Sequence, residues 1–179
     1  VNGAYIQLNY SENDEWQGWK YIKPSIGPYS GNLLLSGDLP EDDYGKTPLL
    51  YAVEEGRMKT AQYLMKKGAK LSHRNKDGWT PLLAATYGEE PEIVKMLIDS
   101  GANVNVKAND DTTPLIAASF RENQELIKIL LDSGAKLDAE NKNGETALDI
   151  ATRREADTVA TLLKQAQVKT DTTKADTAM

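Results

Sequence analysis

The sequence predicts a mainly helical solenoid, a stack of short helix–turn–helix units joined by extended loops. Three observations carry this. Thr47-Pro48-Leu49, Thr80-Pro81-Leu82 and Thr113-Pro114-Leu115 recur every 33 residues, and Thr146-Ala147-Leu148 continues the series at the same spacing. Gly68-Ala69, Gly101-Ala102 and Gly134-Ala135 hold the same period. Between the two markers, apolar residues fall at helical spacing, as in Ile93, Val94, Met96, Leu97 and Ile98, matched by Leu126, Ile127, Ile129, Leu130 and Leu131. A repeat of this length is one supersecondary unit that buries its apolar face only against its neighbours.

Residues 1–43 stand outside the pattern. They hold Trp16 and Trp19, two of the three Trp, and Tyr5, Tyr10, Tyr21 and Tyr29, four of the eight Tyr. Ile6, Leu8 and Tyr10 alternate with Gln7 and Asn9, the period of a short strand. Pro24, Gly27-Pro28 and Gly31 then break the chain into turns. Leu33-Leu34-Leu35-Ser36-Gly37-Asp38 reads as the end of a degenerate repeat within 33–43. The segment is expected to form an irregular aromatic N-terminal cap over the first unit. The alternative is an arm in which Trp16, Trp19 and Tyr21 touch a partner directly.

The units are placed at 44–76, 77–109, 110–142 and 143–164. In each, Thr is suited to cap the first helix, and Pro48, Pro81 and Pro114 suit its first position, where no N–H is needed. Small residues follow, Ala52, Ala84-Ala85 and Ala117-Ala118, which let the first helices approach closely. The second helix of the first unit is the weakest, with Ala61, Tyr63, Leu64 and Met65. Gly68, Gly101 and Gly134 sit where a left-handed residue ends the second helix, and Asp77-Gly78 marks a tight turn before the next unit. Arg153, Arg154, Glu155, Asp157 and Thr161 polarise the last unit, as the end of an array requires. The polar segment 165–179, nearly free of apolar residues from Val168, is expected to be a disordered tail or a frayed helical extension.

Composition narrows the chemistry. The net charge of −6 argues against nucleic acid and against an anionic membrane surface. Apolar runs are far too short to span a bilayer. With no Cys and a single His, His73, there is no disulfide, thiol nucleophile, zinc cluster or His-based catalytic pair. Acidic neighbours such as Glu54-Glu55, Glu89-Glu90 and Asp110-Asp111 do not converge, and no Asp-x-Asp-x-Asp-Gly loop exists, so no metal and no cofactor is expected. His73 reads as a surface residue. An enzyme working with carboxylates alone is the reading of a different class, and little supports it. The chain opens at Val1 without Met, which leans the expectation towards an exported, periplasmic protein.

Asp77-Gly78-Trp79-Thr80-Pro81-Leu82-Leu83-Ala84-Ala85 and the stretch from Ile93 to Asn105 resemble the two halves of the ankyrin repeat. The resemblance covers about residues 44–164, as three full units and one truncated final unit, and one departure is that the family's usual His is Leu50, Leu83, Ile116 and Asp149. It implies a concave, partner-binding side built from finger loops and first-helix ends. The matching positions are Tyr44, Lys46, Glu54 and Glu55, then Lys76, Asp77, Trp79 and Tyr87, then Asn109, Asp110, Thr112, Phe120 and Arg121, and finally Glu145, Arg153 and Arg154. Trp79, Tyr87 and Phe120 are expected to face outward as one patch, aromatics and Arg being enriched in hot spots. The bland alternative is that Trp79 and Tyr87 pack on neighbouring fingers.

The chain is thus expected to be a non-catalytic protein-binding module, monomeric alone. It looks similar to bacterial exported ankyrin proteins, which implies an immunity or inhibitor protein occluding a toxic enzyme, with acidic charge steering a basic partner. A scaffold or host-directed effector is the rival binding role.

Overall fold

The computed structural model describes residues 5–10, 16–22 and 41–177, with side chains over 41–169. Strand β1 (Tyr5–Tyr10) pairs antiparallel with β2 (Trp16–Ile22), Leu8 lying opposite Trp19 and an irregularity falling between Asn9 and Tyr10. The alternation of Ile6, Leu8 and Tyr10 is therefore a strand, as its period predicts. The turns at Pro24, Gly27-Pro28 and Gly31 and the degenerate repeat end at 33–40 lie outside the described residues, as do the side-chain contacts of Trp16, Trp19 and Tyr21.

Four helix pairs follow: α1 (Pro48–Glu54) with α2 (Met58–Lys66), α3 (Pro81–Tyr87) with α4 (Pro91–Asp99), α5 (Pro114–Phe120) with α6 (Gln124–Asp132), and α7 (Ala147–Arg153) with α8 (Asp157–Thr177). Each first helix starts at a Thr whose side chain accepts from the backbone N–H three residues on: Thr47 from Leu50, Thr80 from Leu83, Thr113 from Ile116 and Thr146 from Asp149. The last of these is a capping box, because the Asp149 carboxylate accepts in return from the Thr146 N–H. Asp149 thereby turns a position that is Leu or Ile in the other units into a helix cap.

Each second helix but the last ends in a two-bond Schellman turn. Ala69 N–H donates to the Leu64 carbonyl and Gly68 N–H to that of Met65, and Ala102/Gly101 and Ala135/Gly134 repeat the pair. The glycines sit at φ 90, 93 and 86°, a region an L residue enters only under strain. Within the last unit, α8 runs without a break through residues 165–177.

First helices stack in the order α1, α3, α5, α7, and second helices α4, α6 and α8 stack behind them. One continuous core results, with Leu64, Leu97, Leu130 and Leu163 recurring in it at the repeat period, each 1% exposed or less. Thr60 breaks the regularity: it is fully buried where the other units place Ile93, Leu126 and Val159, and its hydroxyl has no partner. A buried hydroxyl without a hydrogen bond costs about 1–3 kcal/mol.

Two opposite effects follow for stability. Leu97→Ala and Leu130→Ala are expected to cost about 2–5 kcal/mol each through lost transfer energy and a cavity, whereas Thr60→Val is expected to raise stability by about 1 kcal/mol. Urea unfolding of the three variants measures both. A loss under about 1 kcal/mol at the two leucines would place the second helices outside the core, and destabilisation by Thr60→Val would show that its hydroxyl is satisfied.

Candidate protein-binding face

The fingers between units are held from within and from next door. Asp42 accepts from the N–H groups of Tyr44 and Lys46, Asn75 from those of Asp77 and Trp79, and Asn141 from those of Asn143 and Glu145. These side-chain bonds close three of the four finger tips into a tight turn, the third-unit position being Ala108. Neighbouring fingers are then joined by one backbone bond each: Lys76 N–H to Tyr44 O (3.0 Å), Asn109 N–H to Asp77 O (2.9 Å) and Lys142 N–H to Asp110 O (2.9 Å). The loops therefore form a regular row rather than four independent arms.

In the first, second and last units one finger residue stands against the end of the first helix. Lys46 Nζ bonds Glu54 at 2.7 Å in the first, and Glu145 accepts from Arg153 at 2.8 Å in the last. Between these two ion pairs of opposite direction, Trp79 meets Tyr87 edge to face at 5.0 Å between ring centroids. Thr112 and Phe120 hold the same places in the third unit. The face thus has charged ends and an aromatic middle.

A second set of contacts crosses from unit to unit. The Arg121 guanidinium lies 5.1 Å from the Tyr87 ring centroid and pairs with Glu89; Arg154 lies 4.5 Å from that of Phe120 and pairs with Glu122 at 3.0 Å. Glu89 and Glu122 reach these cations from backbones at φ 62 and 59°. The first junction is built differently. Gly88 stands where the next two units have Arg121 and Arg154, and a Cβ there would come within 2.7 Å of the Glu54 carbonyl oxygen. Units one and two are locked by close backbone approach, the others by Arg on an aromatic ring.

Tyr44 at 69%, Tyr87 at 39% and Phe120 at 40% are exposed, as are Glu54, Glu55, Arg121, Arg153 and Arg154, together with Lys76, Asp77, Asn109 and Asp110; Lys46, Thr112 and Glu145 are half-buried. Trp79 corrects the expectation of three outward rings. It is half-buried and packed on Leu83, Ala108 and Ala117, so its indole body is part of the stack. The reason is legible in the repeat: the finger position occupied by Asp42, Asn75 and Asn141 is Ala108 in the third unit, which leaves room for the indole.

Two residues carry more than their sequence context suggested. Tyr51 stands where the middle units have Ala84 and Ala117, and its hydroxyl donates to Asp42 at 2.6 Å with Lys46 Nζ 5.2 Å from its ring centroid. His73 is not a free surface residue: it is half-buried, and Nε2 donates to the Gly45 carbonyl at 2.8 Å, tying the loop after α2 to the first finger. Among the described residues no three His, Asp or Glu converge as metal ligands, and no described helix is long and apolar enough to cross a membrane.

A family model described as ankyrin repeats, in three copies, matches residues 30–108 and 84–174. The chain belongs to the ankyrin-repeat family. Its units are accordingly helix–turn–helix elements of a protein–protein interaction module, and the family is typically one of non-catalytic binding proteins. No curated protein gives a significant match.

Charge at the first ankyrin finger is tuned by hydrogen bonds. Burial pushes the Asp42 carboxyl up, but the bonds from the Tyr51 hydroxyl and from the N–H groups of Lys46 and Tyr44 outweigh it and hold the group below the usual carboxylate range. Burial, then the bond to Asp42, raises Tyr51 well above an ordinary phenol. Asp149 is held low by the Thr146 hydroxyl and N–H. A carboxyl depressed in the fold contributes stability that is present above its unfolded value, about 3.9, and lost as pH falls through the folded one; a raised phenol contributes stability below about pH 10 that is lost above the folded value. The urea midpoint is therefore expected to be flat between about pH 5 and 9 and to fall below about pH 4. Tyr51→Phe removes one of the bonds holding Asp42 down, so its acid decline is expected to be shallower; coincident acid curves would contradict the assignment.

Proposed function

We propose that this ankyrin array is a non-catalytic module that seats one partner protein against its fingers and first-helix ends, with Tyr87 and Phe120 at the centre of the contact. The observation that carries the reading is their exposure. Two large aromatic rings remain about two fifths accessible in the two middle units, each held in place by an Arg and flanked by ion pairs at both ends of the row. Rings that are already ordered lose little freedom on binding, and a central aromatic patch inside a polar rim is the arrangement of an interface hot spot. Trp79 enters this reading as the edge-on support of Tyr87.

The form of the activity we favour is occlusion: an immunity or inhibitor protein that covers a toxic partner enzyme. Occlusion requires only that the partner's active site lie against this face, and the array's backbone-bonded fingers favour a single fixed docking pose. Recruitment by a scaffold or effector would use the same residues and leave the partner active.

Affinity capture from the source lysate, followed by mass spectrometry, identifies the partner, after which the variants decide the site. Tyr87→Ala and Phe120→Ala are each expected to weaken binding by at least about 2 kcal/mol, roughly thirtyfold, with the chain still fully folded after losing about 0.5–2 kcal/mol of stability from the Arg and ring contacts. Trp79→Ala is expected to lower stability itself, by about 1–3 kcal/mol, because it uncovers Ala108 and Leu83. Unchanged affinity in both Tyr87→Ala and Phe120→Ala would move the site elsewhere. Titration of an enzymatic partner to stoichiometric inhibition supports occlusion, and full activity in the complex contradicts it.

A further inference from the structure

Two neighbouring positions at the end of each first helix form a double row along the proposed face. They read Glu54-Glu55, Tyr87-Gly88, Phe120-Arg121 and Arg153-Arg154. Their formal charge climbs in one direction along the stack, two negative charges in the first unit, none in the second, one positive in the third and two positive in the last. The finger row runs the other way, Lys46 meeting Glu54 at one end and Glu145 meeting Arg153 at the other, and Arg57 and Glu122 pair from the side with the second charge at each end. Glu89 and Glu122 pair with Arg121 and Arg154 from the side.

These pairs balance the charge at each end in sum, but the order of carboxylates and guanidinium groups along the double row remains. Lys46–Glu54, Arg57–Glu55, Arg153–Glu145 and Arg154–Glu122 are all partly or fully solvated, with N–O separations from 2.7 to 3.7 Å. Exposed pairs contribute about 0–1 kcal/mol, so a partner's charges can share or replace them at little cost. Meanwhile the pairs hold the carboxylates and guanidinium groups in place. Arg154, laid over the Phe120 ring, has donors left at its edge for an incoming carboxylate.

From this order of charges we propose that the occupant is a charge-polarised segment of a partner protein. Its centre is apolar or aromatic and lies over Tyr87 and Phe120; basic residues flank it on the side of Glu54 and Glu55, and acidic residues on the side of Arg153 and Arg154. The proposal rests on the binding reading above and adds the partner's chemistry and its direction along the stack. Successive helices pack about 8–10 Å apart, so four units span about 30 Å, the reach of about nine extended residues. A wrong orientation sets like charges against each other at both ends, so the polarity selects direction as well as partner.

Selection of a library of displayed random 12-residue peptides against the full chain tests this without knowledge of the natural partner. Enriched peptides are expected to carry Lys or Arg on one flank, an aromatic or branched apolar centre, and Asp or Glu on the other flank. A synthetic representative is expected to lose at least about tenfold in affinity on Glu54→Lys combined with Glu55→Lys. The same peptide with its basic flank changed to Glu is expected to bind that variant better than the parent peptide does. Arg153→Glu with Arg154→Glu provides the matching test at the other end, each variant being checked for unchanged helix content. Peptides that need Tyr87 and Phe120 but show no charge order, or that ignore both reversals, overturn the polarity and leave the aromatic site standing. Peptides indifferent to Tyr87→Ala and Phe120→Ala overturn the binding reading beneath it. No enrichment at all overturns a linear segment as occupant. Self-association of the chain that is abolished by Arg153→Glu with Arg154→Glu would give the face to a second copy.

Discussion

The stacking of each first helix on the next sets the spacing of everything on the finger side, and it is plainest between the second and third units. Leu83 closes on Ala117 in a buried cluster, with Ala108 beneath the Trp79 indole. The small Ala117 there brings the α3 and α5 axes close, and the Asn109 N–H of one finger reaches the Asp77 carbonyl of the other. The periodic placement of Lys46, Trp79, Thr112 and Glu145 in one row, and of Glu54, Tyr87, Phe120 and Arg153 beside it, is a consequence of that register. Because the units meet only their neighbours, the surface is assembled locally, junction by junction.

The junctions are not equivalent, and the differences bear on the face. An Arg laid on an aromatic ring joins the second unit to the third and the third to the fourth, and each Arg is steadied by a Glu from a left-handed backbone position. Strain of that kind costs of order 1–3 kcal/mol and persists where surrounding contacts fix it. At the first junction Gly56 occupies the left-handed position and Gly88 the place of the Arg. The first unit also carries Thr60 in its core and Tyr51 at the place of the close-packing alanine. The first unit is therefore less regular than the two middle ones, and the aromatic patch sits in those middle units.

Much of the fold was legible because it is written locally. A Thr before a Pro caps a helix, a Gly in a fixed place ends one, and the period of 33 residues stacks the units. The site was legible as a set of positions, since exposure at Tyr44, Tyr87 and Phe120 follows from phase alone. What depends on a neighbour's side chain was harder to read. Trp79 is half-buried because of Ala108, nearly one repeat away, and His73 is tied down by a carbonyl in the preceding finger. The Arg121 and Arg154 stacks likewise need the distance between two units, which periodicity fixes but does not state. Strand β2 was illegible for a different reason: Gly18 and the aromatics around it show no clean alternation, and its pairing with β1 supplies the order.

The close packing of Ala117 in the cluster with Leu83 holds the second and third units of the face in register. That role is tested most directly by the unfolding free energy of Ala117→Leu, a substitution that leaves every exposed residue of the face unchanged. Overpacking a filled interface costs about 1–3 kcal/mol, and the account predicts a loss in that range, because Ala117 is 2% exposed and closed over by Leu83. A variant as stable as the wild type would contradict it, showing that the second and third units are spaced by something other than this contact.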